Sequence, residues 1–174
     1  MTQKDPKNLW QTAERHLNSN RPARAEPYLR KLTQSLPRDP VVHYNYAICL
    51  LQLGKAKKSK ELLQKVINLE NPQPPFFTAL AEAALADGDV VTAINGLETG
   101  IKRTPLEVSL HQKKASILQN TGNWREAINV YSTVINLSGQ NIDAYINSAI
   151  CRRQIGDFKG ALDQINKAVR LQPN

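Results

Sequence analysis

VSLHQKKASILQNTGNWREAINVYSTVINLSGQN at residues 108–141 and IDAYINSAICRRQIGDFKGALDQINKAVRLQPN at 142–174 align without a gap. Ala115 falls over Ala149, Gly122 over Gly156 and Ala127 over Ala161, each pair 34 residues apart. The same step runs back through the chain. Ala13, Ala47 and Ala81 precede Ala115; Ala25, Ser59 and Ala93 precede Ala127; Asn20, Gly54 and Gly88 precede Gly122. Three small-residue ladders in one register mark an array of stacked supersecondary units, because a fixed period of this length is the signature of repeat architecture. Counted from Pro6, five units fit: 6–39, 40–73, 74–107, 108–141 and 142–174, the last one residue short. Residues 1–174 therefore read as a single array, without a capping helix after the fifth unit.

Each unit reads as two helices joined by a tight turn. Gly88-Asp89, Gly122-Asn123 and Gly156-Asp157 place glycine where a helix C-terminus needs a left-handed residue. The acid or amide that follows caps the next helix. Asp5-Pro6 and Asp39-Pro40 open first helices with a capping carboxylate and a proline whose missing N–H costs nothing there. Pro37, Pro105 and Pro173 punctuate the joins between units. The second helices are amphipathic: Ala127, Ile128, Tyr131, Val134 and Ile135 recur at helical spacing, as do Ala161, Leu162, Ile165, Ala168 and Val169. Such a helix cannot bury its apolar stripe alone, so the units must stack. The first unit departs most. Asn20 replaces the turn glycine, and Pro27 falls inside the second helix, where proline removes a backbone bond. A kinked or late-starting helix over roughly 22–36 is the expectation there.

Composition sets the outer limits. Hydrophobic residues make up 41% and charged residues 22%, which suits a folded chain and excludes a disordered one. No apolar run approaches the length of a membrane span. The polar start lacks the apolar stretch of a signal peptide, which points to the cytoplasm. Cys49 and Cys151 occupy one slot of the repeat, three units apart. With about 8–10 Å for each helix packed between them, they lie beyond disulfide reach and read as small buried thiols. The net charge of +8 is uneven: +7 over residues 1–73, −3 over 74–107 and +4 over 108–174.

The search for catalytic chemistry finds little. His16 has no cysteine, serine or carboxylate placed around it in a catalytic spacing. No phosphate loop, dinucleotide fingerprint or zinc motif occurs. The expectation is a chain that is not an enzyme and needs no cofactor or metal.

The units resemble tetratricopeptide repeats, whose pattern sets aromatic, large and small residues at fixed offsets. The second unit supplies His43, Tyr46, Ala47, Leu50, Ser59 and Leu63; the third, Phe77, Leu80, Ala81, Ala84, Ala93, Leu97 and Pro105; the fifth, Tyr145, Ser148, Ala149, Arg152, Ala161, Ile165 and Pro173. Alanine replaces the family's glycine throughout, Lys114 and Ser148 replace a core leucine, and Asn71 and Gly139 replace proline. The resemblance implies an all-α fold, a right-handed superhelical solenoid of five antiparallel helix pairs. It also places His43 and His111 at an aromatic packing position.

In that family the first helices line the concave face. The resemblance thus implies an inward set that includes Lys7, Trp10, Glu14, Val41, Tyr44, Asn45, Ile48, Glu82, Lys113, Asp143, Asn147 and Arg153. Its acids and bases balance. The basic excess falls elsewhere, as at Lys55, Lys57, Lys58 and Lys60, and reads as a solvated face. A nucleic-acid channel would want basic residues with interleaved stacking rings, so nucleic acid is an unlikely partner. Large aromatics favour binding hot spots. The expectation is a protein–protein interaction module holding a peptide or partner surface through Trp10, Tyr44, Asn45, Ile48, Lys113, Asn147 and Arg153. Two readings of Trp10 and Tyr44 stay open: contact with a ligand, or packing across neighbouring helices. The chaperone-tail clamp of some family members does not fit, because Asn45 and Asn147 lack the flanking positive charges.

The array stops at Asn174 without the polar cap such arrays need, so some of Ile146, Ile150, Leu162 and Val169 should stay uncovered. Three explanations stand side by side: the N-terminal array of a longer protein, self-association through the open C-terminal end, or a last pair polar enough to stand alone. The alternative function is the substrate-selecting appendage of a transferase-type enzyme whose catalytic domain follows, an analogy from fold.

Overall fold

The computed structural model describes residues 5–69 and 71–171. Pro173, the end at Asn174 and the first four residues of the polar start lie outside the described residues. Among the described residues are ten α-helices and no strand: α1 (Pro6–Asn18), α2 (Pro22–Ser35), α3 (Pro40–Gln52), α4 (Ala56–Val66), α5 (Pro74–Ala86), α6 (Val90–Arg103), α7 (Val108–Asn120), α8 (Trp124–Leu137), α9 (Ile142–Gln154) and α10 (Phe158–Leu171). They fold into two compact bodies divided between Gly96 and Leu97, inside α6, hereafter the first and second units; each holds more than one of the 34-residue repeats. No helix among the described residues is long and apolar enough to cross a membrane.

Local chemistry sets the helix ends. The Asp5 carboxylate accepts from the Lys7 N–H at 3.1 Å, and Asp39 accepts from Val41 and Val42 at 2.9 and 3.1 Å. Gly54, Gly88, Gly122 and Gly156 all turn the chain at φ between +71° and +80°. Asn20 does the same work at φ +52°, since asparagine tolerates the left-handed region better than most residues. The residues after the glycines divide. Asp89 accepts from Thr92 and Asp157 from Gly160, each at 2.9 Å, and both cap their helices. Asn123 does not: α8 has no side-chain cap, and the Asn123 amide donates to the Thr121 hydroxyl at 3.0 Å instead. An amide carries donors that a carboxylate lacks, and a neighbouring hydroxyl took one.

The alanine ladder is buried throughout. Ala13, Ala47, Ala81 and Ala115 have no exposed surface and Ala149 almost none. In the first unit the Ser59 hydroxyl, fully buried on α4, donates to the Ala47 carbonyl on α3 at 2.7 Å. Only a small side chain at residue 47 permits that approach. Leu9, Ala13, Ala25, Leu29, Leu32, Val42 and Cys49 form a continuous core. In the second unit Leu110, His111, Leu118, Tyr131 and Val134 are buried, with Ala115, Ala127, Ala144 and Cys151.

Pro27 does not delay α2, which begins at Pro22 and continues to Ser35. The carbonyl that Pro27 leaves unbonded belongs to Ala23, an exposed residue in the first turn, so the lost bond strands no buried acceptor. Both cysteines are buried free thiols, and Cys49 donates to the Pro22 carbonyl at 3.2 Å. Each histidine has a local partner. His111 sits 2.8 Å from the Pro105 carbonyl, His43 at 2.8 Å from that of Asp39, and His16 stacks on Tyr28. On the last pair, Leu162 and Val169 are each 62% exposed, with Phe158 and Ile146 also exposed and Ile150 half-buried.

Candidate functional site

The first unit places four of the expected site residues on two first helices. Trp10 is half-buried on α1 and packs against the core cluster. It also walls a pocket of about 290 Å³, shared with Pro6, Lys7, Leu32, Leu36, Asp39, Val41 and Val42. On α3, the Tyr44 ring tilts against Phe76 of α5 with centroids 4.9 Å apart. Burial first, then the charge of Glu82, push the Tyr44 hydroxyl above its ordinary pKa. Asn45 spends one amide N–H on the Val41 carbonyl at 2.8 Å, a bond within its own helix, and Ile48 is half-buried one turn beyond Tyr44. Trp10 and Val41 therefore meet at one pocket, and Tyr44 rests on an aromatic shelf that the repeat pattern alone did not name.

The second unit holds the other three. Lys113 is half-buried on α7, Asn147 half-buried on α9 and Arg153 exposed at the end of α9. Lys114, beside Lys113, takes the core leucine's place with its side chain largely covered. Its side chain is only 13% exposed and its ammonium reaches Glu98 at 2.8 Å and Glu126 at 3.2 Å, joining α6, α7 and α8. Burial lowers the Lys114 pKa, but the hydrogen bonds to the two glutamates outweigh it and the net shift is upward. Ser148, the other replacement, is buried with its hydroxyl unpaired.

The basic run needs one correction. Lys55, Lys57 and Lys58 are exposed as expected, but Lys60 is not a solvated charge. Its ammonium bridges Asp87 at 2.6 Å and Asp89 at 2.9 Å, tying α4 to the α5–α6 turn. Lysine is here a cross-helix strap, with its stem packed and its head paired. The Thr92 backbone N–H and then Lys60 hold Asp89 down to about 2. Asp89 is depressed below its unfolded value. Its stabilising contribution is thus present above about pH 4 and is lost as pH falls toward about 2. Lys60→Met should make that acid-side loss shallower without abolishing it, since Thr92 remains. Melting temperatures across that window check this, and an unchanged slope would refute the strap.

Models of the Tetratricopeptide repeat match residues 16–82 and 113–174. Tetratricopeptide repeat protein 37 of Xenopus laevis is 25% identical over 71% of the chain, which spans 9% of that relative's length. The chain spans 33% or less of two further curated relatives. Among solved structures, MamA aligns at a TM-score of 0.85 and 16% identity, covering 97% of this chain and 92% of that one. YrrB, described as a TPR protein with an unusual peptide-binding site, aligns at 0.75 and 17% identity, covering 98% and 88%. With its paired helices, left-handed turns and buried alanines in one 34-residue register, the chain belongs to the tetratricopeptide repeat family.

Proposed function

We propose that the chain is a protein–protein interaction module that binds an extended or helical peptide on the faces of its first helices. In the first unit Trp10, Tyr44 and Ile48 take apolar side chains, and Asn45 offers amide hydrogen bonds to peptide backbone. In the second unit Lys113, Asn147 and Arg153 offer polar and positive groups. The observation that carries the reading is the pair of half-buried aromatics, Trp10 and Tyr44, held by packing yet open on one side. Rings fixed in this way give contact area at little entropic cost, the quality of a hot spot. YrrB, a solved structure of the same fold, is described as having a peptide-binding site, which supports the reading.

Peptides from a random displayed pool, selected on the immobilised chain, test this. Trp10→Ala with Tyr44→Ala should lower their recapture at least about tenfold. Lys57→Glu with Lys58→Glu, on the exposed basic run, should leave it unchanged. Full recapture by a cooperatively melting Trp10→Ala/Tyr44→Ala variant would sink the reading.

A further inference from the structure

We infer that the pocket beside Trp10 is a socket for one apolar side chain of a bound peptide, and that the peptide residue next to it is acidic. The inference rests on the peptide-binding reading above and adds the sequence feature that the first unit selects.

Three segments close on this space: the first turns of α1, the end of α2 with its cap Leu36, and the first turn of α3. The indole of Trp10 and the side chains of Leu32, Leu36 and Val41 make an apolar wall around about 290 Å³. Water held against such a wall finds few hydrogen-bond partners, so an apolar occupant displaces it favourably. Leu32 is fully buried and fixed in the core, while Val41 at the rim is 49% exposed. The socket thus has a rigid floor and an open lip. Trp10 itself is anchored against the core, so its ring is positioned before a ligand arrives.

Charge chooses the neighbour. Lys7 and Asp39 are the charged residues among those lining the pocket. Asp39 sits at the N-terminus of α3, where one oxygen accepts from both Val41 and Val42 and the helix dipole offsets its charge. Asp5 likewise accepts from the Lys7 backbone N–H. Lys7 is exposed, and its long flexible stem lets the ammonium meet a carboxylate placed beside the seated side chain.

Three short peptide pools test the assignment, each degenerate except for a central Leu-Glu, Leu-Lys or Ser-Glu, retained on the immobilised full chain. The Leu-Glu pool should exceed the Ser-Glu pool by about tenfold and the Leu-Lys pool by several-fold. Lys7→Glu should invert the order of the two leucine pools, and Val41→Asp should depress both. Both substitutions put an acid at an exposed position in a first helical turn, where the helix dipole favours it, so the fold is kept. An order of pools indifferent to Lys7→Glu and Val41→Asp but abolished by Tyr44→Ala would overturn the socket and leave the wider reading standing. Retention of no pool would overturn both. A self-associating chain that Val41→Asp renders monomeric would show the occupant to be a second copy, and would overturn the peptide assignment.

Discussion

Ala47→Leu is expected to cost about 3 kcal/mol, read as a lowered urea midpoint at unchanged slope. Two effects combine. Three extra carbons at a position with no exposed surface force α3 and α4 apart, and overpacking of this kind costs about 1–3 kcal/mol. Separation also breaks the 2.7 Å bond from the Ser59 hydroxyl to the Ala47 carbonyl. A hydroxyl left buried and unpaired adds about 1–3 kcal/mol. The second effect can be isolated. Ser59→Ala removes the hydroxyl, so the Ala47→Leu/Ser59→Ala pair should be less destabilised than its two single changes added together. Strict additivity would show that the bond survives the leucine. A midpoint unmoved by Ala47→Leu would show that the ladder does not mark the crossing.

The repeat was legible because each helix pair solves one packing problem with the same small residues at the same offsets. The starts of α1 and α3 were legible too, since an aspartate before a proline carries its cap in the sequence. What could not be read was any pairing made between one helix pair and the next. Lys60 looks like Lys57 and Lys58 along the chain; its acids, Asp87 and Asp89, come near only when α4 packs on α5. Lys114 looked like a defect in the core pattern, and the two glutamates that accept it lie on the helices before and after. Asn123 shares a register position with Asp89 and Asp157, yet an amide can donate to a neighbouring hydroxyl where a carboxylate can only accept. The candidate site divides in the same way. The register named Trp10 and Tyr44. The shelf under Tyr44 and the Leu32 and Leu36 wall beside Trp10 come from the next pair's first helix and from a second helix, which the register treats as core.

Phe76→Ala is expected to have the largest effect, about 3–5 kcal/mol by equilibrium denaturation, because it empties a nearly unexposed site on α5. Successive helical residues point about 100° apart. Phe77 is accordingly fully buried, while Phe76 turns toward Tyr44 of α3, and the two rings meet at a tilt of 35°. The aromatic pair adds about 0.5–1.5 kcal/mol beyond the burial itself. Phe76→Leu separates the two roles. It fills most of the volume, so its cost should stay below about 1.5 kcal/mol, but it offers Tyr44 no ring. If Tyr44 is a binding residue held in place by its shelf, Phe76→Leu should weaken peptide capture toward the level of Tyr44→Ala while the protein stays folded. If Tyr44 serves only to join α3 to α5, Phe76→Leu should leave capture intact, and the aromatic reading of the first unit would then rest on Trp10 alone.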